Sequence, residues 1–155
     1  MVSLGKKFEE KIKVDFENGG GFIYRLRDQR NGYKITSRNI ADFFAYRYPN
    51  FFILEAKSIR GNTFPITNFT QYDEMIQAPN MKGLYKGVLI WFIDVEKILY
   101  VPLKTFTQLK ADGKKSVNVK TIQSDGYDVL EIPTKKKRVY LDADYSVLDN
   151  LPEGW

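Results

Sequence analysis

Neither cysteine nor histidine occurs among the 155 residues of the sequence. The absence of cysteine excludes disulfides, thiolate nucleophiles and cysteine-ligated zinc. The absence of histidine excludes Ser-His triads, imidazole metal ligands and the most common general base. Any catalytic chemistry must therefore rely on carboxylates, lysine, amides, hydroxyls and metal-bound water.

Long hydrophobic runs are also absent. The longest apolar run, at 87–93, is too short to span a bilayer, and the first ten residues, MVSLGKKFEE, contain no apolar signal-peptide core. We therefore expect a cytoplasmic protein that does not contact a membrane. The composition, 43% hydrophobic and 15% aromatic, is typical of a folded globular protein. The length predicts a single domain over residues 1–155 with its own core.

Basic residues outnumber acidic ones, and the net charge of +5 favours a polyanionic partner such as nucleic acid. The segment 25–38 carries five basic residues and a single acid. Its Asn31-Gly32 dipeptide predicts a two-residue β-hairpin. The segment is either an ordinary solvated hairpin or a short basic finger that follows phosphates, with Tyr24 and Tyr33 available to stack on unpaired bases.

Two aromatic runs in the segment 39–57, NIADFFAYRYPNFFILEAK, are separated by a turn signal at Pro49-Asn50. Short runs rich in Phe, Tyr and Ile predict two paired strands. A hairpin centred between residues 48 and 49 places Asp42 beside Glu55 on the neighbouring strand. Lys57 lies two residues beyond Glu55, so both side chains point to the same face, about 7 Å apart.

Two interpretations of these three charges are open. Burying an unpaired charge is costly, so Lys57 could form a structural salt bridge with Asp42 or Glu55 at a sheet edge. Alternatively, the two carboxylates could bind a divalent metal next to a catalytic lysine, because hard cations such as Mg²⁺ prefer carboxylate oxygens and water.

The remaining sequence predicts alternating helices and strands. Leu4, Phe8, Ile12 and Phe16 form an apolar stripe that predicts a helix over 3–18 with Ser3 as its N-cap. Further predictions are strands over 22–26, 87–94 and 97–103, a loop over 58–65, a helix from Thr67 or Asn68 to Ala78 that buries Phe69, Tyr72, Met75 and Ile76, and a short helix over 104–110.

The Asp42…Glu55-x-Lys57 pattern resembles the D…E-x-K motif of the PD-(D/E)XK nuclease superfamily. The surrounding sequence resembles the RecU-type Holliday junction resolvases over roughly residues 1–103. The matching residues are Glu55-Ala56-Lys57, Thr63-Phe64-Pro65-Ile66, Asn68-Phe69 and Gln71, and Gly5, Phe8 and Glu9 match a G-x-x-F-E pattern in the first helix. The resemblance implies a restriction-endonuclease-like α/β fold, with a central mixed β-sheet flanked by helices in the order helix, three strands, helix, strand.

The same resemblance implies a function and a set of site residues. The function is Mg²⁺-dependent hydrolysis of DNA at four-way junctions by a homodimer, with Mn²⁺ as a substitute metal. Asp42, Glu55, Glu9 and the Ala56 carbonyl would hold the metal, and Glu10 is the alternative to Glu9. Lys57 would stabilise developing negative charge, and Gln71 would orient the attacking water or a phosphate oxygen.

Candidate DNA contacts are basic or aromatic residues near these groups: Lys6, Lys7, Arg25, Arg27, Arg30, Tyr33, Lys34, Arg38 and Arg60. The finger at 25–38 is shorter than the stalk of RecU-type enzymes. The short finger leaves open another PD-(D/E)XK endonuclease, of the restriction or nicking type. A non-catalytic nucleic-acid-binding module, with a structural salt bridge among Asp42, Glu55 and Lys57, is the second alternative.

Overall fold

The computed structural model of the chain describes residues 3–27 and 39–155, together with the backbone of two short strands between them. Its helices and strands, in chain order, are α1 (Leu4–Asn18), β1 (Phe22–Arg25), β2 (Gln29–Asn31), β3 (Lys34–Ser37), β4 (Phe43–Arg47), β5 (Asn50–Ile59), β6 (Thr63–Pro65), α2 (Tyr72–Met75), β7 (Leu84–Phe92), β8 (Lys97–Pro102), α3 (Leu103–Ala111), β9 (Ser116–Asn118), β10 (Leu130–Ile132), β11 (Thr134–Lys137) and β12 (Tyr140–Ala143). Within the described ranges, no helix is both long enough and apolar enough to cross a membrane.

A six-stranded sheet in the order β1-β4-β5-β7-β8-β10 forms the centre of the fold. Strands β5 and β7 pair in parallel, and the other neighbours pair antiparallel. The parallel pair is largely buried, which explains its nearly continuous apolar sequence. The predicted α/β architecture, with a central mixed sheet flanked by helices, is confirmed.

The two faces of the sheet are covered by different elements, because successive residues of a strand point to opposite faces. Helix α1 covers one face, where Phe16 packs edge-on against Phe52 at 6.3 Å between ring centroids. Helix α3 covers part of the other face, where Phe106 belongs to the same apolar cluster as Val88 and Ile90. The predicted N-cap of α1 is present, since the Ser3 side chain accepts a hydrogen bond from the Lys6 N–H.

The segment after Lys57 differs from the prediction. Strand β5 continues to Ile59, and β6 occupies part of the expected loop. The helix expected from Thr67 or Asn68 to Ala78 is only a 3₁₀ turn at Ile66–Asn68 followed by the single turn of α2.

Tertiary packing explains this shortened helix. The Phe69 backbone is not helical (φ −89°, ψ 80°), and its ring is buried, with its centroid 4.8 Å from that of the Phe106 ring. Thr and Asn have low helix propensity, so burial of Phe69 outweighs the local preference for helix. Ile76, which was expected in the buried stripe, is 45% exposed.

In the basic segment β2 and β3 pair antiparallel with Asn31 opposite Lys34, so the two strands form a hairpin, but Asn31 belongs to strand β2 and not to the turn that Asn31-Gly32 predicts. Tyr33 and Arg38 lie outside the described residues, and so do the side chains of Arg30 and Lys34.

Candidate active site

The β4–β5 hairpin places Asp42 next to Glu55. The two strands pair with Phe43 opposite Leu54, so the next position in this register sets residue 42 opposite residue 55, as the sequence predicts. The Asp42 Oδ2 accepts a hydrogen bond of 2.9 Å from the Ala56 N–H. The Asp42 main-chain carbonyl accepts a second, of 2.7 Å, from the Leu26 N–H. Asp42 is thereby fixed from both neighbouring strands.

Glu55 is a buried carboxylate, with 1% of its surface exposed. Among the described residues, its oxygens have no hydrogen-bond partner of standard geometry, and the adjacent Asp42 is another carboxyl with which Glu55 can share a proton. Burial first, and then the adjacent Asp42, raise the pKa of Glu55 well above the usual carboxyl range. A buried carboxylate without a partner is costly, and a bound cation would offset that cost.

These residues therefore fit a divalent cation. Two carboxylates from neighbouring strands offer the hard oxygen ligands that Mg²⁺ and Mn²⁺ prefer. The N–H and C=O of one residue in a strand point to the same edge, so the Ala56 carbonyl faces the side on which its N–H meets Asp42.

Lys57 is half-buried on the same face of β5 as Glu55. Across the described ranges, no ion pair joins Lys57 to Asp42 or Glu55, so the salt bridge that the sequence left open is not formed. The Lys57 charge nevertheless lowers the pKa of Glu55 and Glu9, although burial outweighs it at both carboxyls. The ammonium group thus lies within electrostatic reach of the acidic groups.

Helix α1 brings Glu9 towards the same place. A Cβ added at Gly5 would lie 3.3 Å from the Ser58 Oγ, so glycine allows this helix to pass close to β5. Burial, and then the Asp42 charge, raise the pKa of Glu9, whose carboxylate forms an ion pair with Arg25. Among the described residues, no three acidic side chains are grouped closely enough to hold one metal ion, so Glu9 approaches the Asp42–Glu55 pair without joining it.

Comparison with known proteins identifies the family of this chain. The family model of RecU, Recombination protein U, matches residues 24–143, which is well over half of the sequence. The chain belongs to the Recombination protein U family. A search of curated proteins finds no significant match.

The fold of this RecU-family chain is similar to that of a solved Holliday junction resolvase. Hjc of Archaeoglobus fulgidus, described as a Holliday junction resolvase from an archaeal hyperthermophile, matches with a TM-score of 0.57 and 13% sequence identity. The match covers 77% of this chain and 93% of Hjc. At this identity the likeness establishes the fold, and the predicted restriction-endonuclease-like core is confirmed.

An open cleft of about 400 Å³ adjoins Asp42 in this RecU-family fold. Its lining includes Gln71 and two basic residues, Arg25 and Arg27. The Gln71 Oε1 accepts a hydrogen bond from the Thr70 hydroxyl at 3.1 Å, which leaves its amide N–H groups available to the cleft. The cleft therefore combines one carboxylate of the proposed metal site, Asp42, with donors suited to a phosphate.

Sequence reasoning missed one residue of this cleft and two ion pairs. Asn39 lines the cleft, and its position three residues before Asp42 is the feature of the sequence that could have indicated this. Arg25 forms its ion pair with Glu9, and Arg60 pairs with Asp94 at 2.8 Å. These pairs join residues distant in sequence, so no local pattern could reveal them.

Lys6, Arg25 and Arg27, three of the candidate DNA contacts, line a second cleft of about 500 Å³ next to α1. It is lined by Lys6, Lys13, Arg25 and Arg27 together with Glu9, Glu10 and Phe43. Lys7 forms an ion pair with Glu10 on the α1 surface. Basic groups thus flank the carboxylates from the α1 side.

Proposed function

We propose that this RecU-family chain is a Holliday junction resolvase, a metal-dependent endonuclease that hydrolyses DNA phosphodiester bonds at four-way junctions. The observation that carries the proposal is the buried Glu55, whose oxygens have no cationic partner among the described residues and which lies opposite Asp42 and on the same face as Lys57. Family membership favours this function over a restriction or nicking enzyme and over a non-catalytic module.

Each residue has a role that follows from its position. Asp42, Glu55 and the Ala56 carbonyl would hold Mg²⁺, with Mn²⁺ as a substitute. When bound, such an ion stabilises phosphate charge and acidifies a water molecule. Lys57 presents its ammonium where negative charge develops on the phosphate. The Gln71 amide, which shares the cleft with Asp42, orients the attacking water or a phosphate oxygen.

A cleavage assay tests this function. A four-way junction and a linear duplex of equal length are incubated with the protein in Mg²⁺, in Mn²⁺ and in EDTA. We expect cleavage of the junction with either metal and none in EDTA. Equal cleavage of both DNAs would favour a restriction or nicking enzyme, and no cleavage under any condition would favour a binding module.

The proposal includes a homodimer. Resolution of a junction requires two symmetric cuts, and therefore two active sites related by a two-fold axis. A cytoplasmic location belongs to the same proposal, because the substrate is DNA undergoing recombination.

The choice between Glu9 and Glu10 leads to a prediction. The Glu9 side chain is 19% exposed and near Asp42, whereas the Glu10 side chain is 51% exposed and pairs with Lys7. We expect Glu9→Gln to lower metal affinity or the cleavage rate by about 10–100-fold, the usual effect of a group that supports metal ligands. Glu10→Gln should leave both unchanged. Single-turnover rates across a Mg²⁺ titration measure this, and equal losses in the two variants would contradict the choice of Glu9.

The basic hairpin leads to a second prediction, which concerns binding alone. If Arg27, Arg30 and Lys34 each contact one phosphate, replacing all three by Gln should flatten the log–log salt dependence of junction binding by roughly 2.7 units. Fluorescence anisotropy at several salt concentrations measures the slope. The matched control replaces Lys97, Lys104 and Lys136, three exposed lysines that each pair with a carboxylate of the protein.

If the hairpin enters the junction centre, Tyr33→Ala should cost about 1–3 kcal/mol of affinity, the value of one base–aromatic stack, and mainly on branched DNA. An unchanged salt slope, with equal losses on junction and duplex, would instead mean that the hairpin is only a solvated turn.

A further inference from the structure

Aromatic side chains are exposed along one edge of the central sheet. Phe22, Tyr46 and Phe51 lie in one cross-strand row over β1, β4 and β5, and Tyr24 and Phe44 lie in the next row. Cross-strand partners share a face, so these five residues form one surface, which we call the aromatic face. The exposed fractions are 62% for Phe22, 60% for Tyr24, 42% for Tyr46 and 38% for Phe51.

The helices leave this surface open. Helix α1 lies on the opposite side of the sheet, where it contacts Phe52 and other strand residues whose side chains point to that side. Helix α3 covers β7 and β8 on the near side, through Phe106 and Leu109. Contiguous exposed apolar surfaces of this kind mark sites of association.

DNA is a poor partner for the aromatic face. Affinity for DNA depends on exposed lysine and arginine that contact phosphates. When the two rows are continued across the sheet to β7, they contain one basic residue, Lys86. Lys86 is buried, and its ammonium donates hydrogen bonds to the Ala78 carbonyl at 2.8 Å and to the Asn80 Oδ1 at 3.0 Å. The surface therefore suits a protein rather than a polyanion.

The exposed area matches what a dimer needs. Tyr48, in the turn between β4 and β5, is 84% exposed and extends the surface. A large aromatic side chain buries about 150–250 Å², so the exposed fractions amount to roughly 600 Å² in one copy. Two copies facing each other would bury roughly 1,200 Å², above the approximately 1,000 Å² expected of a biological interface.

We propose that the aromatic face is the surface through which two copies of this chain associate about a two-fold axis. The proposal rests on the proposed function, which requires two active sites, and it identifies where they are joined. Asp42 and Glu55 occupy the next row on the same sheet face, about 7 Å along the strands from Phe44. The interface would therefore border both clefts and fix their relative orientation for paired cuts.

Charge substitutions on the aromatic face test this interface. Tyr46→Glu and Phe22→Glu each place a carboxylate in the proposed contact, where burying it is costly. We expect the dimer Kd from sedimentation velocity to rise at least 100-fold, with circular dichroism and Tm like those of the wild type. The control is Val139→Glu, an exposed apolar residue between β11 and β12, which should leave the Kd unchanged.

Cross-linking keeps the test valid if a charge variant fails to fold. The chain contains no cysteine, so Tyr46→Cys introduces its sole thiol. A short bismaleimide should convert Tyr46→Cys to a covalent dimer and leave Val139→Cys monomeric. Charge variants with an unchanged Kd, or a wild type that is monomeric even with junction DNA, would overturn the proposal. A loss of junction affinity at unchanged Kd would also overturn it, since the face would then bind DNA.

A cruciform plasmid separates this proposal from the proposed function. Paired cuts by the wild type linearise the plasmid, whereas Tyr46→Glu should give nicked circles. If the wild type dimerises through this face and cuts nothing, the function fails and the interface stands. If the wild type linearises the plasmid and Tyr46→Glu stays dimeric, the interface fails and the function stands.

Discussion

Asp42→Asn, Glu55→Gln and Lys57→Ala are each expected to lower junction cleavage by roughly 10³-fold or more, which corresponds to about 4 kcal/mol of transition-state stabilisation. The first two changes remove charge from the proposed metal ligands, and the third removes the ammonium beside them. Junction affinity should stay close to that of the wild type, because affinity comes mainly from basic groups elsewhere on the protein.

The structure suggests that these variants fold. An amide at position 42 keeps an oxygen that can accept the Ala56 N–H, and Lys57 forms no ion pair within the part of the chain that the structure describes. Single-turnover rates measure the chemistry, and anisotropy measures binding. The controls are Glu10→Gln and Lys97→Ala, which change exposed side chains that pair with other surface residues. A Lys57→Ala protein with near-normal turnover would exclude a catalytic role for this lysine.

The position of the carboxylate pair could be predicted from sequence because it depends on local rules. Strand side chains alternate with a period of two, and the turn signal between the two aromatic runs allows a hairpin centred between residues 48 and 49. These two facts set the register that places Asp42 opposite Glu55. No information from the rest of the fold was needed.

The environment of the pair could not be predicted in this way. Sequence patterns left Glu9 and Glu10 as alternatives, because both lie near one face of α1. Tertiary structure distinguishes Glu9 from Glu10. The close approach of Gly5 to Ser58 and the ion pair between Glu9 and Arg25 place Glu9 near the carboxylate pair. The shortened α2 has a similar cause, since the burial of Phe69 against Phe106 is a contact between distant segments.

The aromatic face shows a further limit of sequence reading. An aromatic run such as that of β4 predicts burial, and alternate residues of the strand are indeed buried. Whether the remaining residues of the strand, which point to the other face of the sheet, are also covered depends on where the helices pack. The pairing of β6 with β9 and of β8 with β10 was equally inaccessible, because these strands are far apart in sequence.

The buried carboxylate also predicts a trade-off between stability and metal binding. Burial and the adjacent Asp42 raise the pKa of Glu55 from 4.5 to about 10, so the folded protein binds a proton there more tightly than the unfolded chain does. This contribution to stability is fully present below pH 4.5, and it is lost as the pH rises towards 10. At neutral and alkaline pH, Glu55 therefore destabilises the metal-free protein.

Glu55→Gln should raise the free energy of unfolding by about 1–3 kcal/mol at pH 8 in EDTA, because a neutral amide can be buried without taking up the proton that Glu55 must bind on folding. The gain should disappear near pH 4, where Glu55 is protonated in both states. In Mg²⁺ the order should reverse: a metal at about 1,000 times its Kd stabilises the wild type by about 4.1 kcal/mol, whereas the variant has lost a ligand. Urea unfolding at both pH values measures these differences, and Glu131→Gln, at an exposed ion pair, is the control. If Glu55→Gln were less stable than the wild type in EDTA at pH 8, Glu55 would be a structural residue, and the metal site would have to lie elsewhere.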